Sequence, residues 1–341
     1  MDFQLGILTL IVLLSACSSE IEINSDGAPL PIIYCFLNPD DSVQYLRLSK
    51  TFTIPVDNPN YRPSESDMIY DEEPDIYISE DESGYKQRFF KSDLISSIQK
   101  DTGWFPVEGM QIFASKFKIK PATQYSLVLY FQSENRIVFG QTKSFGSDFL
   151  IIDPSMILFR EADLFPRQDY YVRFTPVINA QIFQTTLTFV YDEFRDDLIE
   201  RKEFEFKLEP LLNEHQDVAY LQQKIGGILF FKNLAQKLEV IQGVIRKPVC
   251  FKFRISCGGN ELFYRVRSEI NVSSFSDILY TNLSNAQGIF SSLNHQIIDN
   301  VIISRFTIDS IALSPLTKQL GFLSYKDLTI NEKATDLHLL H

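Results

Sequence analysis

The residue with the clearest chemistry is the cysteine that ends the sequence Leu14-Ser15-Ala16-Cys17. It closes an apolar run of ten residues, Leu5 to Leu14. That is about half of the roughly 20 residues that a bilayer-spanning helix needs, and it matches the core of a signal peptide. Small residues before a cysteine suit a lipoprotein peptidase, after which the thiol and the freed amino group are acylated. We therefore expect residues 1–17 to be a lipoprotein signal peptide that ends at the lipidated Cys17.

Two neighbouring features bear on this prediction. The first four residues carry no Lys or Arg, whereas signal peptides usually begin with a positive charge. The alternative is a buried amino-terminal strand with a chance cysteine. Residues 18–27 are mainly small and polar, so we interpret them as a tether between lipid and folded chain.

The chain shows no motif for catalysis. Its histidines are not spaced as in HExxH, and GxSxG, Walker and GxGxxG sequences are absent. A Ser-His-Asp triad assembles from distant positions, so a hydrolase stays open as an alternative. We expect no enzyme activity, no cofactor and no metal. The histidines are His215, His295, His338 and His341.

Two clusters could bind a ligand. The carboxylates between Asp67 and Asp75 could offer oxygens to calcium, but they lack the DxDxDG spacing, so a solvated loop is favoured. Tyr61, Tyr70 and Trp104 could instead form an aromatic face for a glycan or a peptide. For Trp104, the lone tryptophan, a place in the core is the competing interpretation.

Composition limits the partners. The formal net charge of −12 argues against nucleic acid, which requires basic patches, and against adhesion to anionic headgroups. Hydrophobic residues make up 45% of the chain, with 29 Phe and 15 Tyr. Aromatic residues favour half-buried pleated surfaces, so this composition predicts β structure.

The cysteines other than Cys17 are Cys35, Cys250 and Cys257, and an odd number cannot all pair within one chain. Cys250 and Cys257 bracket an alternating strand. Their Cα atoms would lie about 23 Å apart, beyond the ~7 Å limit of a disulfide. We expect buried free thiols, with Cys35 paired to either of the others as the alternative.

The elements that would carry these residues are mostly strands. Alternation and turn signals between residues 28 and 147 predict about seven short strands, an immunoglobulin-like or transthyretin-like sandwich. Pro121 followed by Tyr125 resembles a tyrosine corner, in which the hydroxyl bonds to nearby backbone; an ordinary strand tyrosine is the alternative. The predicted strands are 31–37, 43–50, 75–80, 85–90, 112–118, 126–129 and 137–145.

Residues 148–325 predict a second β-rich domain, either a sandwich or an open barrel. Alternation marks strands at 183–191, 203–208, 247–256 and 261–266, with a hairpin turn at 258–260. Residues 218–238 show near-helical spacing broken by Gly226-Gly227, which predicts helical pieces. Closing strands are expected within 300–311, and residues 326–341 are expected to be a flexible tail. The fold class is thus all-β with minor helices.

Several segments resemble one family. The sequences Pro31 to Pro39, Leu46 to Lys50 and Pro121 to Leu129 are similar to those of the DUF4249 lipoproteins of the Bacteroidota. Tyr280 to Phe290 resembles that family's carboxyl-terminal signature, a Tyr-x-Asn before Gly-Ile-Phe, although Ala286-Gln287 replaces a glycine-containing pair. The resemblance implies an outer-membrane lipoprotein of undefined function, often associated with TonB-dependent transporters. It brings no catalytic residues.

The resulting hypothesis is a non-enzymatic, lipid-anchored outer-membrane protein that serves as a binding or accessory subunit, with a TonB-dependent transporter as candidate partner. Surface display is favoured over a periplasmic orientation because acidic residues follow Cys17. The alternatives are a glycan- or peptide-binding surface lipoprotein and a hydrolase with a hidden site.

Overall fold

The computed structural model describes residues 29–52, 64–93, 110–146, 150–154, 161–195, 198–213, 218–271 and 279–328. Within these ranges, none of the helices combines the length and apolar character that crossing a bilayer requires. The elements before residue 147 are β1 Pro31–Leu37, β2 Val43–Lys50, α1 Glu65–Met68, β3 Asp75–Glu80, β4 Lys86–Lys91, β5 Gln111–Lys116, β6 Gln124–Phe131 and β7 Arg136–Lys143.

The later elements include strands two to three times longer. They are β8 Ile151–Asp153, β9 Glu161–Ala162, β10 Tyr170–Phe174, β11 Ala180–Arg195, β12 Leu198–Lys207, β13 Leu211–Leu212, β14 Leu221–Ile225, α2 Gly227–Lys237, β15 Ile245–Gly259, α3 Asn260–Asn271, β16 Gln287–Ile303, α4 Arg305–Leu313 and a 3₁₀ turn, Lys318–Leu320. The described chain is mostly strand, so the predicted all-β class is confirmed.

One large sheet runs through both regions in the order β12-β11-β15-β16-β1-β2-β5-β4-β3-β6-β7, with β13 on β11 and β9 on β16. The sheet folds into two layers at β4. In this strand Phe89 pairs with β3 and Phe90 pairs with β5. The two layers enclose the first core, which includes Ile33, Leu127 and Val138, all 0% exposed. This is the sandwich that the alternation predicts.

The tyrosine corner is present. The backbone N–H of Lys120 donates to the Tyr125 hydroxyl at 2.9 Å, and Tyr125 is buried. The bond ties the start of β6 to the segment before it, as expected of this arrangement. The seven predicted strands of this region all occur, with ends shifted by three residues at most.

A three-stranded sheet, β14-β10-β8, covers the large sheet in the second region. Aromatic rings fill the space between them, as in the 5.2 Å contact of Phe174 with Phe183 and the 5.9 Å contact of Tyr170 with Phe253. Helix α2 closes one side with Phe230, Phe231 and Leu234, all 0% exposed. The result is the second core, a sandwich-like arrangement.

Four predictions for the second region are wrong. The hairpin turn expected at 258–260 is not formed, because β15 runs to Gly259 and α3 begins at Asn260. Residues 221–225 form strand β14 rather than a helical piece, because the buried Gln223 hides the alternation of Leu221 and Ile225. Residues 261–266 lie in α3 rather than in a strand, since the chain enters a helix directly at Asn260. The closing strands expected within 300–311 continue as far as Ile303. Residues 305–313 form the helix α4 instead, with Ser304 as its N-cap.

The two cores meet at β16. Its first residues pair in parallel with β1, from Gln287 opposite Ile32 to Ser292 opposite Leu37, and its later residues pair with β15. Leu283, Ala286 and Phe290 therefore belong to the first core although they lie late in the sequence. The predicted boundary near residue 148 remains a prediction, with this late segment returning to the first region.

The segment before β16 has a structural role. The Asn282 side chain accepts from the Phe290 N–H at 3.0 Å and donates to the Gln141 carbonyl at 2.8 Å. The Ser284 N–H donates to the carbonyl of Phe139 in β7 at 2.8 Å. These bonds cover the outer edge of β7, so residues 280–290 close this side of the first sandwich.

Cys35, Cys250 and Cys257 are free and buried, which confirms the predicted thiols. Burial raises the pKa of Cys35 well above its ordinary value and that of Cys257 to about 12. Both thiols therefore stay protonated at neutral pH, and they act as small apolar core residues.

Candidate functional site

The sequence-predicted site residues fall mostly outside the described ranges. Cys17, Tyr61 and Trp104 all do, so the lipidation and aromatic-face predictions are not addressed at those positions. Tyr70 is described and is 8% exposed, with its ring 4.7 Å from that of Phe131. The expectation of an exposed ring there is wrong, because the first core needs this aromatic side chain.

The other candidate chemistry does not assemble in the described part of the chain. His215, His338 and His341 lie outside it. His295 is half-buried on β16 opposite Ser256, and no hydrogen bond within the described residues links its ring to a carboxylate. Among these residues no group of three His, Cys, Asp or Glu side chains is placed to hold a metal ion.

A buried polar cluster forms where the regions meet. The Glu261 carboxylate accepts from Thr142 Oγ1 and Ser291 Oγ, both at 3.0 Å. Burial raises the pKa of Glu261, and burial together with the nearby Glu261 charge raises that of Tyr280. Ser291 is 0% exposed, so the hydroxyl is not accessible to a substrate. The cluster attaches α3 to β7 and β16 and is structural.

A groove of about 810 Å³ opens at one side of the second sandwich. Residues 205–211, at the end of β12 and in the following loop, form one wall, and residues 222–224 of β14 form the other. The start of α2 closes one end with Ile228 and Leu229, which are 43% and 54% exposed. We call this site the edge groove, because both walls are sheet edges.

The strand pairing explains that description. Strand β12 ends the large sheet and β14 ends the three-stranded one. Within the described residues, β12 pairs with β11 alone and β14 with β10 alone. Each wall therefore carries backbone N–H and C=O groups on the side away from its neighbour that no other described strand uses. Such rows are templates for a further strand.

The groove's shape is fixed by buried hydrogen bonds. Gln223, 6% exposed, accepts from Thr185 Oγ1 at 2.7 Å and donates to the Glu209 carbonyl at 2.9 Å. Strand β14 is thereby attached both to the large sheet and to the opposite wall. Because buried polar groups cost free energy when unpaired, these bonds hold the two walls in register.

The rim is electrically balanced. Three lysines and three carboxylates line it. Lys224 lies 3.1 Å from Asp169, and Lys207 lies 3.8 Å from Glu205. Apolar groups occupy the space between, chiefly Leu208, Leu211 and Leu229. An apolar wall with a neutral, polar rim does not select a polyanion or a polycation.

The groove is not predicted from the sequence, although two adjacent glycines at one end of it were a signal. The pair Gly226-Gly227 reads as a helix breaker, but a Cβ on Gly227 would lie 1.7 Å from the Phe165 carbonyl oxygen. The glycine is required because α2 begins in direct contact with another backbone segment. A glycine at the junction of a strand and a helix marks such a close approach.

Comparison with known proteins adds little. No family model matches the chain, and no curated protein matches it. A cytokine receptor complex chain is similar at 8% identity and a TM-score of 0.22, over 79% of this chain and 96% of its own. The C-terminal globular domain of an oligosaccharyltransferase from Pyrococcus abyssi is similar at 13% identity and a TM-score of 0.20, over 68% of this chain and 50% of its own. Neither similarity supports an argument about function.

Proposed function

We propose that this chain is a non-enzymatic binding subunit of the outer membrane, anchored by lipid on Cys17, that holds part of a membrane-protein partner in the edge groove. The observation that carries the proposal is the groove itself: a space of about 810 Å³, lined by both apolar and polar side chains, between two sheet edges that no other described strand pairs. Binding sites are concave, mostly apolar and edged by a few polar groups.

The described residues set the groove apart from the point where the chain enters the fold. The chain enters the fold at β1, where Ile32 lies opposite Gln287 of β16. The groove wall includes Lys207, which pairs with Thr186 of β11. Thr186 in turn pairs with Arg254 of β15, and Arg254 pairs with Ile297 of β16, so the wall lies at the level of Ile297. Ile297 lies ten residues after Gln287 in β16, which is at most about 33 Å along the strand. In the proposed arrangement, the partner therefore approaches a part of the sheet other than the one at which the chain enters the fold.

A glycan ligand has less support. Among the described residues that line the groove, the aromatic side chain is Phe206, which is 8% exposed and belongs to the second core. A sugar would find no exposed ring there to stack on. A TonB-dependent transporter is the candidate partner that the family resemblance suggests.

The test is affinity copurification of the native lipoprotein from detergent-solubilised membranes. A matched pair of variants makes it specific: Leu229→Glu places a charge in the groove, and Val240→Glu places one on an exposed residue outside it, 61% exposed. We expect a β-barrel partner with the wild type and with V240E but not with L229E. Recovery of no membrane protein, or equal recovery with both variants, contradicts the proposal. Mass spectrometry of Cys17 tests the anchor separately.

A further inference from the structure

We infer that the edge groove takes its partner as an extended polypeptide segment that adds a strand to β14. This inference rests on the proposed function and names the class of ligand for the same site. The segment would be one with apolar side chains at alternate positions and little net charge. Strand addition to a free sheet edge is an established mode of peptide recognition.

The backbone of β14 is the first argument. The strand has five residues, Leu221 to Ile225, and its pairing within the described residues is with β10. Three consecutive residues of the strand, Gln222, Gln223 and Lys224, line the groove, as expected where an edge of the strand rather than one of its faces borders the space. A row of N–H and C=O groups that no other described strand pairs suits another extended backbone better than a compact ligand, because a strand repeats donors and acceptors at the same spacing.

The alternation of β14 is the second argument. Leu221, Gln223 and Ile225 are buried, whereas Gln222 and Lys224 are exposed. An added strand would continue this pleat. One set of its side chains would enter the apolar space beside Leu208 and Leu211, and the other set would lie beside Gln222 and Lys224 in water. The groove therefore fits a peptide whose side chains alternate between apolar and polar.

Size and charge agree with a short peptide. A strand paired along all of β14 spans about 17 Å, and the volume of about 810 Å³ lies within the usual range of ligand sites. The paired charges on the rim, such as Lys224 with Asp169, leave no excess of one sign. A strongly charged peptide would therefore gain nothing over a neutral one.

The experiment uses the full-length protein in detergent and synthetic ten-residue peptides. The panel carries Val, Ile or Leu at alternate positions, with Ser, Lys and Glu between them and no net charge. Each peptide has a twin that is N-methylated at consecutive backbone nitrogens, so that neither of its edges can donate to a strand ladder. Binding is followed by fluorescence polarisation, and hydrogen exchange reports the β14 amides.

We expect panel members to bind, their N-methylated twins to bind at least about tenfold more weakly, and the amides of β14 to gain protection. Leu229→Glu should weaken binding by about the same factor, and Val240→Glu should leave it unchanged.

Failure of every peptide to bind, equal binding of the twins, or unchanged β14 exchange overturns the inference. A dimer in the absence of peptide, with protected β14 amides and abolished by L229E, assigns the groove to a second copy and also overturns it.

The outcomes separate this inference from the proposed function. If L229E releases a membrane partner but peptides do not change the hydrogen exchange of β14, the proposed function is supported and strand addition is rejected. If peptides add to β14 but no membrane partner is recovered, strand addition is supported and the proposed function is rejected.

Discussion

The two cores of this chain are closed in different ways. In the first, the outer edge of β7 is covered by the segment before β16, where Ser284 bonds to the backbone of Phe139. In the second, β12 and β14 keep edges that no described strand pairs, and the edge groove lies between them. Sheet edges are usually covered or blunted. In the proposed function, the first core is the scaffold and the second core carries the binding site.

The cores also differ in what fills them. The first holds mainly Ile and Leu side chains between its layers, whereas the second is built on Phe side chains from β10, β11, β12, α2 and β15. Its centre is Phe230, whose ring contacts those of Phe189, Phe204, Phe206, Phe231 and Phe251 at 5.6–6.3 Å. Large aromatic side chains fill the space beneath α2, and one of them, Phe206, also lines the groove.

The strongest test of how the cores are joined is Gly288→Ala. Gly288 has φ +102°, and a Cβ there would lie 1.9 Å from the Ile33 carbonyl oxygen. The substitution should break the β1–β16 pairing and lower the free energy of unfolding by more than about 4 kcal/mol. Denaturant unfolding measures it. The control is Gly84→Ala, where φ is +67° and nothing lies within 4 Å, so a cost of about 1 kcal/mol is expected. Equal costs would contradict the role of the joint.

Phe230→Ala should be next in size. Phe230 is fully buried among five rings, and truncation of such a side chain costs about 3–5 kcal/mol. Phe90→Ala, in the first region at 63% exposure, should cost less than about 1 kcal/mol. Hydrogen exchange of β15 and β6 reports the two cores separately. Faster exchange in β15 alone supports independent cores, and equal acceleration in β6 shows that the shared sheet unfolds as one unit.

Arg246 carries the third prediction. Its guanidinium, 2% exposed as a residue, lies 2.9 Å from Glu193 and donates to the carbonyls of Leu320 and Glu239. Removal of one partner of a buried ion pair costs about 3 kcal/mol or more, so Arg246→Ala should destabilise the second region. The exposed pair of Arg201 with Asp192 is the control, and R201A should cost less than about 1 kcal/mol.

The same pair predicts a pH dependence. Burial raises the pKa of Glu193, but hydrogen bonds from Lys202 and Arg246 together lower it below its ordinary value. A carboxyl whose pKa falls on folding stabilises the protein above its unfolded pKa of about 4.3. That contribution is lost as the pH falls through the folded pKa. Urea unfolding from pH 7 to pH 3 should show this acid loss in the wild type and less of it in R246A.

Tyr125→Phe tests the scaffold with a smaller change. It removes the hydroxyl that accepts from the Lys120 N–H and leaves the ring in place. The expected cost is about 1–2 kcal/mol, because a partly buried donor loses its partner. Tyr85→Phe, at 53% exposure, is the matched control and should cost little. A loss that appears in β15 exchange rather than in β6 would contradict the assignment of this bond to the first core.

The sequence predicted the first region better than the second for a physical reason. Short strands with one wet face, such as Asp75–Glu80, show their alternation directly. The tyrosine corner and the free thiols followed from local geometry. In the second region Gln223 is buried because Thr185, 38 residues away, bonds to it. The edge groove likewise depends on which strands lie at the ends of the two sheets. This is a property of the sheet order rather than of any one segment.

The smallest expected effect comes from the second buried carboxylate, Glu261, at the joint. Burial raises its pKa although Thr142 and Ser291 donate to it, so folding favours its neutral form, in contrast to Glu193. Its contribution to stability is complete below the unfolded pKa of about 4.3 and is lost as the pH rises through the folded pKa.

Glu261→Gln keeps an oxygen for both hydroxyls and removes the charge. It should raise the stability at pH 7 by less than about 1 kcal/mol and leave it unchanged at pH 3. A loss of stability at pH 7 would instead show that the joint needs an ionised carboxylate, and the two acidic side chains would then have the same role.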